Sequence, residues 1–134
     1  AYQQLGFKLV VDPSVNYSGY FDARSRSITM KQIDDSVYHE LGHFLAFIAG
    51  NADKTASFQS IFAAEKANVT AFNKAYVTQN ASEYFAESVK DYILNNASLK
   101  STRPQTYAAV QNALNQITDA QIAKIQKIYG AFWN

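Results

Sequence analysis

The segment from Val37 to Ile48 constrains this chain more than any other, because a helical apolar pattern there encloses His39-Glu40-Leu41-Gly42-His43. At about 100° per residue, Val37, Leu41, Phe44, Leu45 and Ile48 fall in one arc. His39 and His43 fall on the opposite side, one turn apart, with Glu40 at the margin. Tyr38 and Phe47 carry the apolar surface almost all round, which predicts a helix through the centre of the domain. Asp34, Asp35 and Ser36 offer caps and negative charge at its start, and Gly50-Asn51 offers a stop.

His39 and His43 are the only 2 histidines of the chain, and both stand in this pattern. Neutral imidazoles four residues apart on a helix can bind one zinc ion from the same side. A glutamate between them can take the proton of a zinc-bound water. The residues therefore predict half of a zinc-peptidase site. Solvated or capping histidines are the plain alternative, but a random chain of this length shows the pattern only on the order of a few times in a thousand.

The length of 134 residues fits one domain, residues 1–134, with an adequate core. Hydrophobic content of 48% against 17% charged residues predicts a folded chain, not a disordered one. A net charge of +1 gives no electrostatic reason to expect nucleic acid or an anionic membrane as partner. No apolar run approaches the ~20 residues that span a bilayer. With Cys 0, disulfides, thiolate zinc ligands and a cysteine nucleophile are all excluded. The sequence starts at Ala1 with neither methionine nor a signal peptide, as expected of a processed form or an excised domain.

Leu5 to Val11 reads as a strand closed by Asp12-Pro13, and Asn16 to Gly19 as turn material. Tyr20 to Arg26 leads to a second, alternating strand at Ser27 to Lys31. The expected arrangement is a small, mostly antiparallel sheet packed on the motif helix, with Ile28 to Lys31 at its edge. Such an edge can hold an extended peptide by main-chain hydrogen bonds, or be an ordinary strand. Helices are predicted over Ala56 to Ala67 (with Glu65 on the apolar face), over Glu83 to Asn95, from Pro104, and from Thr118-Asp119 to Trp133. Val69 to Gln79, with Phe72, Tyr76 and Val77, is less periodic. The fold class is α+β, helix-dominated, with its strands near the N-terminus.

A catalytic zinc site usually has three protein ligands and an open position. With no third histidine, the remaining ligand must be a carboxylate, and Glu83-Tyr84-Phe85-Ala86-Glu87 is the best source. Glu83 and Glu87 share a helix face, so one can ligate while the other hydrogen-bonds a ligand histidine from behind. Spacing does not decide which. Asn80 followed by Glu83 is also a capping box, a purely structural use of the first glutamate.

H-E-L-G-H followed by Y-x6-E-Y-F-A-E resembles the gluzincin metallopeptidases, and within them the catalytic domain of anthrax lethal factor and the clostridial Pro-Pro endopeptidases. The similarity runs from the strand near Leu5 to the helix after Pro104. It implies a zincin-like domain with one Zn2+ held by His39, His43 and Glu83, with Glu40 as general base and Glu87 supporting a ligand. It also implies that Tyr76, seven residues before Glu83, stabilises the oxyanion. The expected activity is zinc-dependent endopeptidase cleavage, with a lean towards proline-containing segments and with Tyr17, Tyr20 and Phe21 near the edge strand. The expected setting is a secreted bacterial monomer acting on a peptide or protein substrate. The other class open to such a chain is a catalytically inactive zincin-fold docking module derived from a larger toxin.

Overall fold

In a computed structural model, residues 2–71 and 73–133 are described, so Phe72 lies outside the described residues. Three strands come first: β1 (Lys8–Val11), β2 (Gly19–Asp22) and β3 (Ser27–Met30). Seven α-helices follow among the described residues: α1 (Ser36–Ile48), α2 (Ala56–Glu65), α3 (Lys74–Val77), α4 (Ala81–Leu94), α5 (Asn96–Thr102), α6 (Pro104–Asn115) and α7 (Asp119–Trp133). No helix among the described residues is long and apolar enough to cross a membrane.

The sheet departs from expectation in two ways. Its order is β1-β3-β2, with β3 in the centre, so Ile28 to Met30 is not an edge. It is also mixed, not mostly antiparallel: β1 pairs parallel with β3, and β2 pairs antiparallel with β3. The local cause is the tight turn after β2, where Asp22 Oδ1 accepts from the amide of Arg24 at 3.0 Å and Arg26 takes a φ of 56°. That turn folds β3 back on β2 as a hairpin. Ile28 and Met30 are 1% and 0% exposed, so the most buried strand takes the middle. Leu9, Val10 and Val11 are left exposed on the outer strand β1.

Helix α1 is central because it serves two cores at once. Leu45, Ala46 and Ala49 pack with Phe58, Tyr84, Phe85, Val89 and Val110 on one side. Phe44, Phe47 and Ile48 pack with Leu5, Phe7, Ile122 and Ile125 on the other. That double burial explains why its sequence is apolar almost all round. Its start is held by Asp34, whose Oδ1 accepts from the Ser36 amide at 2.9 Å. Its end is followed by Gly50 and Asn51, both at positive φ (74° and 58°). The C-terminal helix is tied to the hairpin: Trp133 Nε1 donates to the Ala23 carbonyl at 3.0 Å, and the Arg26 guanidinium lies over the Trp133 ring.

Some outer positions of the helical patterns are not core. Ile93, Leu114 and Ile128 are 49%, 39% and 49% exposed. Each lies at the margin of its helix's apolar arc, where no further layer covers it.

Candidate metal centre

Helices α1 and α4 carry the polar residues singled out by motif, and their approach is set by one glycine. A Cβ on Gly42 would stand 2.6 Å from both the Cα and the carbonyl oxygen of Ala86. Backbone cannot yield there, so Gly42 and Ala86 bring the two helices into direct contact. Sequence reading did not use this residue. The available signal was a glycine inside an apolar helical run, which costs about 1 kcal/mol against alanine and so asks for a reason.

At that contact His39, His43, Glu83 and Glu87 meet. His39 Nε2 lies 3.0 Å from Glu83 Oε2, and His43 Nε2 lies 3.1 Å from Glu83 Oε1. The second nitrogen of His39, Nδ1, lies 2.9 Å from Glu87 Oε1. Glu83 also keeps half of the capping box: its amide donates to Asn80 Oδ1 at 2.8 Å, while its side chain turns to the imidazoles. Tyr76, on the short helix α3, is half exposed at the rim, its ring 6.2 Å from that of His39 and its hydroxyl near enough to the Glu83 carboxylate to be influenced by its charge. Glu40 is 6% exposed and sits on the other side, against β2.

The electrostatics follow from this packing. Burial alone would lower the His39 pKa, but hydrogen bonds to Glu83 and Glu87 and the charge of Glu40 outweigh it and push it up to about 9. Burial would raise Glu83, yet its bonds with both imidazoles and the nearby Tyr76 hydroxyl hold it well below the usual carboxylate range. Glu87 is also lowered: burial opposes the shift, while His39, Lys90 and Arg103 supply it. Glu40 moves the other way, raised by burial against the pull of both histidines. Tyr76 is pushed up to about 12 by burial and by the Glu83 carboxylate.

His39, His43 and Glu83 each offer a ligand atom, and these atoms lie within 4.8 Å of one another. Tetrahedral zinc with nitrogen and oxygen ligands separates them by ~3.3–3.5 Å, so the group fits such an ion after small side-chain adjustments. The proton that His39 holds at Nε2 occupies the lone pair that a metal would take, so binding must displace it. Of the three aromatics near the sheet edge, Phe21 turns inward and stacks on His43 with centroids 6.4 Å apart. Tyr17 and Tyr20 are exposed, their rings 5.8 Å apart. The peptide-facing candidate is now β2, whose outer edge pairs with no strand among the described residues.

A family model described as "Anthrax toxin lethal factor, N- and C-terminal domain" matches residues 20–113, which include every residue of this cluster. The chain belongs to that family. It is also 41% identical over 78 residues to a Pro-Pro endopeptidase of Clostridioides difficile (strain 630). The match covers 55% of this chain and 34% of that protein, so the chain spans about a third of its relative's length. The lethal factor family is thus protease-related, and in this member a His/Glu group able to hold a metal stands at the α1–α4 contact.

Proposed function

We propose that this chain is a zincin-like, gluzincin-type catalytic domain of a zinc-dependent endopeptidase, with His39, His43 and Glu83 as ligands of one Zn2+. The observation that carries the reading is the convergence of both imidazoles on Glu83 beside the buried carboxylate of Glu40. When bound, zinc supplies a Lewis acid that polarises the scissile carbonyl and makes a water acidic near neutral pH.

The protein's own residues do the rest. Glu40 is the general base: its raised pKa brings a carboxylate closer to the range where it can accept a proton and pass it to the leaving amine. Tyr76 keeps its proton because its pKa lies at about 12, so its hydroxyl remains a donor for the developing oxyanion. Glu87 fixes the ring of His39 by accepting from Nδ1, which leaves Nε2 aimed at Glu83.

Substrate enters as an extended chain along β2. The ladder bond from Lys31 N to Ser18 O sets the alternation of the hairpin, so Gly19 and Phe21 direct their main-chain groups to the free edge, where the Phe21 amide faces Glu40 and the other groups are left for substrate. A proline-containing segment suits such a groove, being extended before it binds. The name of the clostridial relative supports this substrate class. The proposed setting is a secreted bacterial monomer acting on peptide or protein, with neither nucleic acid nor membrane as partner. The docking-module reading leaves the burial of Glu40 beside two histidines without a use.

The test is Glu40→Gln on the zinc-loaded protein with a library of proline-rich peptides. Zinc stoichiometry should stay unchanged, and cleavage should fall by about 10²–10⁴-fold. Retained cleavage, or wild-type protein indifferent to zinc and chelators, rejects the proposal.

A further inference from the structure

Gly19 faces α1 from β2, and it is the one position of that strand with no side chain. Its φ is not positive, unlike that of Gly6 and Gly50, so its backbone does not call for glycine. Space does. A Cβ built there would lie 2.9 Å from Glu40 Cγ, 3.0 Å from Glu40 Oε2 and 3.0 Å from Met30 Sδ. Carbon atoms in contact normally keep ~3.5–4.0 Å between them, so something would have to move. Met30 is wholly buried, at 0% exposure, whereas the Glu40 carboxylate ends a flexible side chain beside the open edge of the sheet. Two residues along, the Phe21 amide is turned to the same open edge by the register of the ladder and pulls the pKa of that carboxylate down against its burial. The strand therefore holds Glu40 by a slot at Gly19 and a donor at Phe21.

We propose that Gly19 is a positioning residue for the reaction: the missing side chain forms the slot in which the Glu40 carboxylate lies against the edge of β2. This rests on the role assigned to Glu40 above. Any side chain at position 19 pushes Glu40 off the Phe21 amide, away from where it can take a proton, while His39, His43 and Glu83 on the far side keep their places. Misplacement by about an ångström can cost on the order of 10²-fold in rate without loss of binding.

Gly19→Ala is compared with wild type, Glu40→Ala and the double variant Gly19→Ala/Glu40→Ala. In the zinc-free protein, amide exchange at Phe21 should speed up about tenfold in Gly19→Ala, because the carboxylate that this amide faces has been displaced. Zinc affinity should stay within about twofold of wild type, since Gly19 touches no ligand; for the loaded enzyme kcat should fall about 10–100-fold with KM unchanged. The thermal midpoint gives the independent arm: most of what Gly19→Ala loses, even its fold, should be absent when the same change is made in Glu40→Ala, which has no Cγ to strike and leaves only the contact with Met30. Three results overturn the proposal: unaltered Phe21 exchange with kcat within twofold of wild type, the same loss of midpoint in both backgrounds, or full recovery of kcat on adding Met30→Ala to Gly19→Ala. Failure of the catalytic reading looks different. There Glu40→Gln keeps its activity, while the exchange and midpoint couplings between Gly19 and Glu40 persist.

Discussion

Glu65, buried, and Glu83, partly buried, are both carboxylates held by partners far away in the chain, and they are held in opposite ways. Glu65, 5% exposed, closes the N-terminus of α6: its oxygens accept from the amides of Gln105 at 3.1 Å and Thr106 at 2.8 Å, and from the Thr106 hydroxyl at 2.8 Å. Since the Thr106 proton goes to Glu65, the Tyr84 hydroxyl, 2.6 Å away, donates to Thr106. Every one of these donors has a hydrogen that nothing at neutral pH replaces. Glu83 instead meets the Nε2 atoms of two imidazoles, whose protons are exchangeable for a metal ion. A carboxylate served by amides and hydroxyls is finished architecture; one served by histidines is, on the function proposed above, a metal ligand.

The contrast breaks first at Glu65. Glu65→Ala leaves the Thr106 amide and hydroxyl buried without this acceptor, at about 1–3 kcal/mol each before relaxation, and frees the part-buried Gln105 amide, so we expect a loss of about 3–5 kcal/mol in chemical denaturation. Zinc affinity below the new transition should not change. If it collapsed while the fold persisted, Glu65 would belong to the site after all. Glu83→Gln should do the reverse. Its zinc affinity should fall beyond the ~100-fold typical of a residue that only supports a ligand, with a smaller loss of stability than Glu65→Ala. Isothermal titration on both variants makes the comparison direct.

How far these two roles could be read from sequence differs for physical reasons. Periodicity placed Glu65 on the apolar face of its helix, but the partner that explains it, the amide end of α6 40 residues later, is a tertiary fact. Glu83 carried two competing signals, the capping box and the ligand pattern, and the structure shows a division of labour: main chain to Asn80, side chain to the histidines. Helix α1 was legible because its stripe, its caps and its Gly50-Asn51 stop agree. The sheet was not. Strand order depends on which strand is most buried, and Leu9-Val10-Val11 looks more core-like in sequence than Ile28-Thr29-Met30, yet it forms the exposed edge. The partners of Gly42 and Gly19 were not legible for the same reason: a helical glycine can signal that something comes close, but what a missing side chain makes room for lies elsewhere in the chain.

Glu87 sharpens the comparison from within the site. It resembles Glu65 in holding a partner in place, and Glu83 in that the partner is an imidazole. Glu87→Gln should therefore lower zinc affinity by about 10–100-fold, less than Glu83→Gln. Equal or greater loss would exchange the roles of the two glutamates.

The smallest effect is on pH, and its sign can be fixed in advance. In the metal-free protein the pKa of His39 is raised from 6.5 to about 9, so its stabilising contribution is complete below 6.5 and is lost as pH rises through about 9. Glu83 is depressed below 4.5, so its contribution is present above 4.5 and is lost as pH falls towards its folded value. Metal-free protein should then melt highest, as far as this pair decides, between pH 4.5 and 6.5, and lower by pH 9. Zinc must displace the His39 proton, so its affinity should rise with pH over the same alkaline range, by at most about tenfold per unit for a single proton. Paired melting curves with and without zinc should converge towards pH 6 and separate towards pH 9. A metal-free midpoint that stays flat across that interval would mean that His39 and Glu83 do not share a proton, and the distinction drawn from Glu65 would lose its chemical basis.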